Sequence, residues 1–172
     1  MKNVLLTGRP GVGKTTLIQK IASKFKGKVG GFYTQEIRGH NRRTGFEIVT
    51  FSGRKGLLSS VKLKSPLRVG KYGVNLKDLE EIGVREIEHS LQTNDLIVVD
   101  EIGKMELFSE KFQTVILKAL DSPKPFLAAI TRSRSPFTDQ IKKRSDILLF
   151  EVTEGNRNSI ILDIIGNIKI TS

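Results

Sequence analysis

The sequence predicts an α/β fold, a mainly parallel sheet with helices on both faces and a small antiparallel excursion, and three observations predict it. Short apolar runs rich in β-branched residues alternate with stretches whose apolar residues recur at helical spacing. A glycine-rich segment at residues 8–15 joins the first such run to the first helical stretch. Further along, the apolar run 96–99 closes on Asp100-Glu101. Strands that alternate with helices build a parallel sheet, because each helix carries the chain back to begin the next strand in the same direction.

In chain order, Val4-Leu5-Leu6 is the first buried strand, and Leu17, Ile18, Ile21, Ala22 and Phe25 trace the first helix. That helix ends between residues 24 and 27, where lysines suit the negative end of the helix dipole and Gly27 serves as a cap. Residues 29–38, with Phe32, Tyr33, Thr34 and Ile37, form the second strand. Gly30 and Gly31 mark a close approach within it. A polar turn at 39–45 leads into the alternating segment 46–51, a second turn at 52–56 into 57–63, so 29–63 reads as an antiparallel excursion. Residues 64–74 read as a connecting loop, after which Asn75 caps a helix with Leu76, Leu79, Val84, Ile87 and Leu91 on one face. The continuous run 96–99 is a strand covered on both sides. A helix over 109–120, stopped by Pro123 and Pro125, precedes a buried strand at 126–131. Ser135 caps a short helix with Pro136 at its first position. A strand at 147–152 and a helix carrying Ile160, Ile161, Ile164, Ile165 and Ile168 complete the chain.

At 172 residues the chain reads as a single domain, 1–172, large enough to close a core without staples. The absence of cysteine excludes disulfides and thiolate metal sites. No apolar run approaches the roughly 18 residues that span a bilayer, and no signal peptide precedes the first strand, so a cytoplasmic protein with no membrane partner is expected. Lys plus Arg number 29 against 18 Asp plus Glu, a net charge of +11. A surface so basic favours polyanions: nucleoside triphosphates need only a few cations, and the excess leaves room for a nucleic-acid partner.

The eight residues 8–15 read Gly-Arg-Pro-Gly-Val-Gly-Lys-Thr and fit G-x-x-x-x-G-K-[ST], the phosphate-binding P-loop, in its required place between a strand and a helix. Gly8, Gly11 and Gly13 allow left-handed backbone angles, so the loop of Gly8, Arg9, Pro10, Gly11, Val12, Gly13, Lys14, Thr15 and Thr16 binds the nucleotide, its successive amides converging on a phosphate chain. Lys14 reaches the β- and γ-phosphates, and Thr15 ligates Mg²⁺. Four apolar residues ending in an acid form the Walker B pattern, which makes Asp100 a second metal and nucleotide contact. Glu101, beside the metal but not consumed by it, is positioned to activate water, which favours hydrolysis over transfer. Glu36 is the rival base: on a strand, Phe32, Thr34, Glu36 and Arg38 share a face. Charge growing on the γ-phosphoryl oxygens calls for a further cation, with Arg132, Arg134 and Arg157 as candidates and Arg132 best placed, after a strand expected beside the P-loop strand. His40 and His89 are isolated and form no metal-ligand spacing.

Three stretches together resemble a known family: the P-loop with Thr16, the segment Gly31-Phe32-Tyr33-Thr34-Gln35-Glu36-Ile37-Arg38, and above all Val99-Asp100-Glu101-Ile102-Gly103-Lys104-Met105-Glu106-Leu107-Phe108. They are similar to the small nucleoside-triphosphatase family known from thermophiles and animals, the cancer-related nucleoside-triphosphatase family, over residues 3–165. The resemblance implies a Mg²⁺-dependent hydrolase of several nucleoside triphosphates with little base preference, on a RecA-like P-loop fold. It also implies nucleotide contacts from Asn156 and Arg157, which match the family's Thr-x-Glu-Asn-Arg, although Gly155 stands where that pattern has glutamate. The stretch 131–136 is shorter than the family's proline-containing loop, so Arg132 rests on position alone.

Two other readings share the same residues. A P-loop kinase would seat its acceptor on the basic excursion, and Asp100-Glu101 argues against it. A nucleotide-switched RNA-binding protein is favoured by the charge but lacks the interleaved aromatics of an RNA-reading motif.

Overall fold

In the computed structural model, which describes residues 2–168, every apolar run read above as a strand is one. The strands are β1 Asn3–Thr7, β2 Val29–Gly39, β3 Arg42–Thr50, β4 Lys55–Ser60, β5 Arg68–Val69, β6 Tyr72–Val74, β7 Leu96–Ile102, β8 Phe126–Ile130 and β9 Ile147–Glu151. The helices are α1 Lys14–Lys24, α2 Leu76–Asp78, α3 Arg85–Thr93, α4 Glu110–Asp121, α5 Pro136–Lys142 and α6 Ile160–Ile168, with a π-helical stretch Leu79–Val84 between α2 and α3.

All nine strands form one sheet in the order β5-β6-β4-β3-β2-β7-β8-β1-β9. From β2 to β9 neighbours run parallel, and β8 lies between β7 and β1, with Val99 and Leu5 both opposite Ala128. From β2 to β5 every pairing is antiparallel. The sheet is therefore mixed: a five-stranded parallel half and an antiparallel half that shares β2.

Alternation along the parallel strands sorts the core onto two faces. Val4, Leu6, Leu96, Val98, Leu127 and Ala129 face Leu17, Ile18 and Ile21 of α1 and Ile164 and Ile168 of α6. Leu5, Ile97, Val99, Ala128 and Ile130 face Ile87 of α3, Phe112, Ile116 and Leu120 of α4, and Ile141 of α5. Each fully buried Leu or Ile contributes about 1.5–3 kcal/mol. With Val4, Leu5 and Leu6 wholly buried, β1 is a rigid post beneath the loop that follows it.

The antiparallel part runs on to Val74, beyond the boundary at 63 expected from sequence, because 64–74 holds the β5–β6 hairpin. Strands of two and three residues are too short to carry a period-two signal. The β2–β3 turn is also tighter than expected: Gly39 pairs with Arg42, leaving only His40 and Asn41, both at positive φ (49° and 62°), as a type I′ hairpin turn needs. Gly31, at φ 93°, is required where a Cβ would strike the Val98 carbonyl of the neighbouring strand. Two expected caps are present: the Asn75 side chain accepts from the Asp78 amide, and Ser135 and Thr138 form a capping box under Pro136. The third is not, because α1 gives way to extended backbone at Phe25, two residues before Gly27.

Candidate active site

The C-terminal ends of the parallel strands gather the chemistry-bearing residues along one edge. After β1 the chain turns through Gly8 (φ 150°), Gly11 (φ 77°) and Gly13 (φ 108°) before α1 begins at Lys14. No side chain caps that helix, so its first amides and the positive end of its dipole face the loop, as an anion site requires. Lys14 Nζ donates to the Gly8 carbonyl at 2.7 Å and the Arg9 carbonyl at 3.2 Å, which holds the ammonium inside the loop's own curve.

Asp100 is buried at the end of β7, and its Oδ2 has no hydrogen-bond partner. Burial raises its carboxyl to about 7 from an ordinary 3.8; the Thr15 hydroxyl opposes the shift, Glu101 adds to it and Lys14 opposes it. A buried carboxylate oxygen without a partner, beside the threonine of the P-loop, fits a hard cation. Among the described residues no group of three or more His, Cys, Asp or Glu is arranged to hold a metal alone. Mg²⁺ would need only one or two protein oxygens, its shell being completed by water and substrate phosphates.

Glu101 follows across a cis peptide bond. Burial raises its carboxyl above the usual range, and Lys14 opposes that shift. Glu106 is a residue the sequence reading gave no role. It is buried and held well above the ordinary carboxylate range, first by burial and then by Glu101. The signal that marks it is an acid set inside the apolar turn Met105-Glu106-Leu107-Phe108, three residues after a glycine.

Thr34 and Glu36 share a face of β2, as expected, and with Gln35 and Phe46 they wall a cleft of about 380 Å³ against Gly11, Gly13, Lys14, Thr15 and Thr16. Both carboxylate oxygens of Glu36 are engaged, one by Arg38 at 2.9 Å and the other by Arg43 at 3.3 Å. A second cleft of about 530 Å³ lies between Arg9, Pro10, Gly11, Val12 and residues 151–155. Gly155 lines it with no side chain to fill it.

The three arginines separate. Arg157 reaches over the P-loop, donating from Nη1 to the Val12 carbonyl at 3.3 Å and lining a third cleft with Gly13, Thr16, Leu17 and Lys20. Arg134 is paired with Asp139 at 3.0 Å. Arg132 leaves the end of β8, between the P-loop strand and the Asp100 strand, and is exposed. Asn156 organises its own loop: Oδ1 accepts from the Thr153 amide at 2.8 Å and Nδ2 donates to the Glu151 carbonyl at 2.8 Å. His40 sits in the β2–β3 turn and His89 on α3, both exposed and apart from these clefts.

A family model described as NTPase matches residues 3–165. The nucleoside-triphosphatase THEP1 of Thermotoga maritima is 54% identical over 166 residues, covering 96% of this chain and 95% of that protein. The cancer-related nucleoside-triphosphatase homolog of Mus musculus is 38% identical over 184 residues, covering 98% and 97%. The crystal structure of THEP1 from the hyperthermophile Aquifex aeolicus superposes with a TM-score of 0.88 at 36% identity, over 98% of this chain and 99% of that one. The solution structure of a human cancer-related nucleoside triphosphatase gives 0.82 at 38% identity over the full length of both.

Proposed function

This chain belongs to the NTPase family and is a nucleoside-triphosphatase, and we propose that its hydrolysis depends on Mg²⁺ and tolerates different bases. The observation that carries the metal dependence is the buried, partnerless Oδ2 of Asp100 beside Thr15. Bound Mg²⁺ would offset the charge of the β- and γ-phosphate oxygens. The loop amides at 11–16 and Lys14 hold the phosphate chain. Thr15 and Asp100 hold the ion. Glu101 accepts the proton of the water that attacks the γ-phosphorus in line with the departing diphosphate. Arg157, across the loop, supplies a contact to the nucleotide.

Base tolerance is supported by the walls nearest the P-loop. Beside glycines, Thr16 and Thr34 they carry Lys20, Gln35, Glu36, Glu154, Arg157 and Asn158, all exposed, and no buried side chain committed to one pattern of donors and acceptors. A site that hydrogen-bonds no particular base edge discriminates weakly among bases. The cytoplasmic location expected for this cysteine-free chain belongs to the same proposal and is checked by cell fractionation.

Phosphate release measured with ATP, GTP, CTP and UTP, in Mg²⁺ and in EDTA, tests the proposal. Release from all four within about tenfold of one another, lost in EDTA, is expected. Turnover of one nucleotide alone, or full activity in EDTA, overturns it. Small-molecule and oligonucleotide acceptors in the same panel test the kinase alternative, which requires a phosphorylated acceptor.

A further inference from the structure

The positive charge of this chain is not evenly spread. Residues 29–74 hold nine Lys and Arg against two Glu, a net +7 of the total +11. The topology then concentrates most of these cations at one edge. β2 runs parallel to the strands of the phosphate site, so its turn at His40-Asn41 and the following Arg42 and Arg43 lie at the P-loop edge of the sheet. β4 returns to that edge, with Ser60 opposite Gly45 and the Val61 amide bonded to the Thr44 carbonyl, and delivers Lys62 and Lys64 there. Gly73 of β6 is opposite Ser60, so the Gly70-Lys71 turn joins the same rim. Arg42, Arg43, Lys62, Lys64 and Lys71 are all exposed. Among the described residues, Arg42, Lys62 and Lys64 have no carboxylate partner.

One of these cations is locked in place. The Arg43 guanidinium lies 5.0 Å from the Phe46 ring centroid and 5.7 Å from that of Tyr72, and its Nε donates to the Tyr72 hydroxyl at 2.9 Å. Its side chain is still 45% exposed, so a pre-oriented planar cation faces solvent. Lys71 Nζ stands 5.5 Å from the Tyr72 centroid on the same rim. Phe46, beneath Arg43, also walls the cleft that contains Lys14 and Thr15, so the rim is continuous with the phosphate site.

We propose that this rim binds single-stranded nucleic acid, with Arg42, Lys62, Lys64 and Lys71 on backbone phosphates and the Arg43 plane stacked on a base. Phosphates reward exposed cations that carry no competing carboxylate, and unpaired bases stack on guanidinium planes as they do on aromatic rings. A membrane surface fits less well: among the described residues the exposed large apolar ones are Phe108, Leu149 and Leu162, none of them on this rim. An acidic protein would use the charges and the edge of the guanidinium, which Glu36 already meets at 3.3 Å, and would leave the face of the plane unused. The proposal does not depend on the metal or the base tolerance of the hydrolytic site.

The test is fluorescence anisotropy of the full chain with fluorescein-labelled 20-nucleotide single strands of mixed sequence, one RNA and one DNA, from 50 to 200 mM salt. The two strands separate RNA from DNA as the source of the same chemistry. Affinity should fall linearly in log–log form with salt. Lys62→Glu/Lys64→Glu should weaken binding at least tenfold and flatten the slope by about 1.4, two phosphate contacts at about 0.7 each for a single strand. Phosphate release by this variant should equal wild type. Arg43→Lys keeps the charge and removes the plane; it should weaken binding about five- to tenfold at unchanged slope, with its melting temperature checked alongside. No binding of either strand at 50 mM salt overturns the proposal, as does undiminished binding by Lys62→Glu/Lys64→Glu. Displacement of the strands by polyglutamate at equal charge concentration, or capture by phosphatidylserine vesicles in place of the oligonucleotides, assigns the rim to another partner and also overturns it.

Discussion

Glu101 and Glu106 present their carboxyl groups to one glycine: a Cβ at Gly103 would stand 2.5 Å from Glu101 Oε1 and 3.0 Å from Glu106 Oε2. Two carboxyls crowded at one point do not both ionise readily, and burial raises each of them. The deeper Glu106 is the better place for the proton, which leaves Glu101 as the carboxylate available for the proposed role of base. The absence of a side chain at 103 is what makes room for the pair.

Gly103→Ala therefore acts on the chemistry without touching the phosphate loop. The added methyl must displace the Glu101 carboxyl, and a misplacement of about 1 Å in a catalytic group costs on the order of 10²-fold in rate. Phosphate release should fall at least tenfold, while nucleotide affinity, measured by titration with a non-hydrolysable analogue, stays within about twofold. A parallel loss of affinity would show that Gly103 supports the loop and not the base.

Asp100 gives the fold a pH dependence of known sign. Its carboxyl holds a proton to about pH 7 in the folded chain, against 3.8 when unfolded. Between these values the unfolded state binds fewer protons than the folded one, so stability falls as pH rises from about 4 to about 7 and is level above. Asp100→Asn removes this term. Glu101 and Glu106 remain in both proteins, so the difference between variant and wild type reports Asp100 together with its coupling to them. In metal-free denaturant titrations the variant should match wild type near pH 4 and exceed it by about 2–4 kcal/mol at pH 7. Curves that stay parallel from pH 4 to pH 7 would refute the burial argument.

The parallel half of this architecture was legible because its signals are local and redundant. Val4-Leu5-Leu6, 96–99 and 126–131 are apolar on both faces, and Asn75 and Ser135 announce the helices they cap. Order in the sheet was legible only in part. That β8 separates the P-loop strand from the Asp100 strand fitted the expected place of Arg132, but the β5–β6 hairpin escaped, since five residues carry no periodicity. At the site, Lys14, Thr15, Asp100 and Glu101 belong to motifs with fixed spacing. Glu106 does not: its importance comes from burial against Glu101, a relation between positions five residues apart that no spacing rule encodes. The locking of Arg43 against the touching rings of Phe46 and Tyr72 is longer in range still, joining residues 29 apart through three strands.

Arg157 and Arg132 should divide binding from turnover. Arg157 is already on the P-loop, bonded to the Val12 carbonyl and walling the cleft beside Gly13 and Thr16. It is available to the nucleotide before any chemistry occurs. Arg132 is exposed at the end of β8, and any contact it makes with the γ-phosphoryl group must form with the substrate in place. Arg157→Ala is expected to raise the dissociation constant of a non-hydrolysable analogue about tenfold, with partial recovery in Arg157→Lys. Arg132→Ala is expected to leave that constant within about twofold and to lower kcat by an order of magnitude or more, as loss of a transition-state cation does. An Arg132→Ala variant with full kcat removes the residue from the mechanism.

The choice between Glu101 and Glu36 as the base turns on which carboxylate is free to take a proton. Glu36 walls the cleft with Lys14 and Thr15, so position alone does not exclude it. Its two oxygens, however, are committed to Arg38 and Arg43, so a water would have to displace a guanidinium to reach either of them. Glu101 is raised by burial above the usual carboxylate range, the direction that makes a better base, and among the described residues no arginine is paired with it. Glu101→Gln should bind nucleotide normally and lose about 10²- to 10⁴-fold in phosphate release, the usual worth of a general base. Glu36→Gln should retain turnover within about threefold. The loss it does cause should appear in stability, through the unpairing of Arg38 and Arg43 at a half-exposed site, by no more than about 1 kcal/mol. Single-turnover phosphate release from the two variants under saturating nucleotide decides between them: a collapse in Glu36→Gln with activity kept in Glu101→Gln would move the base to β2.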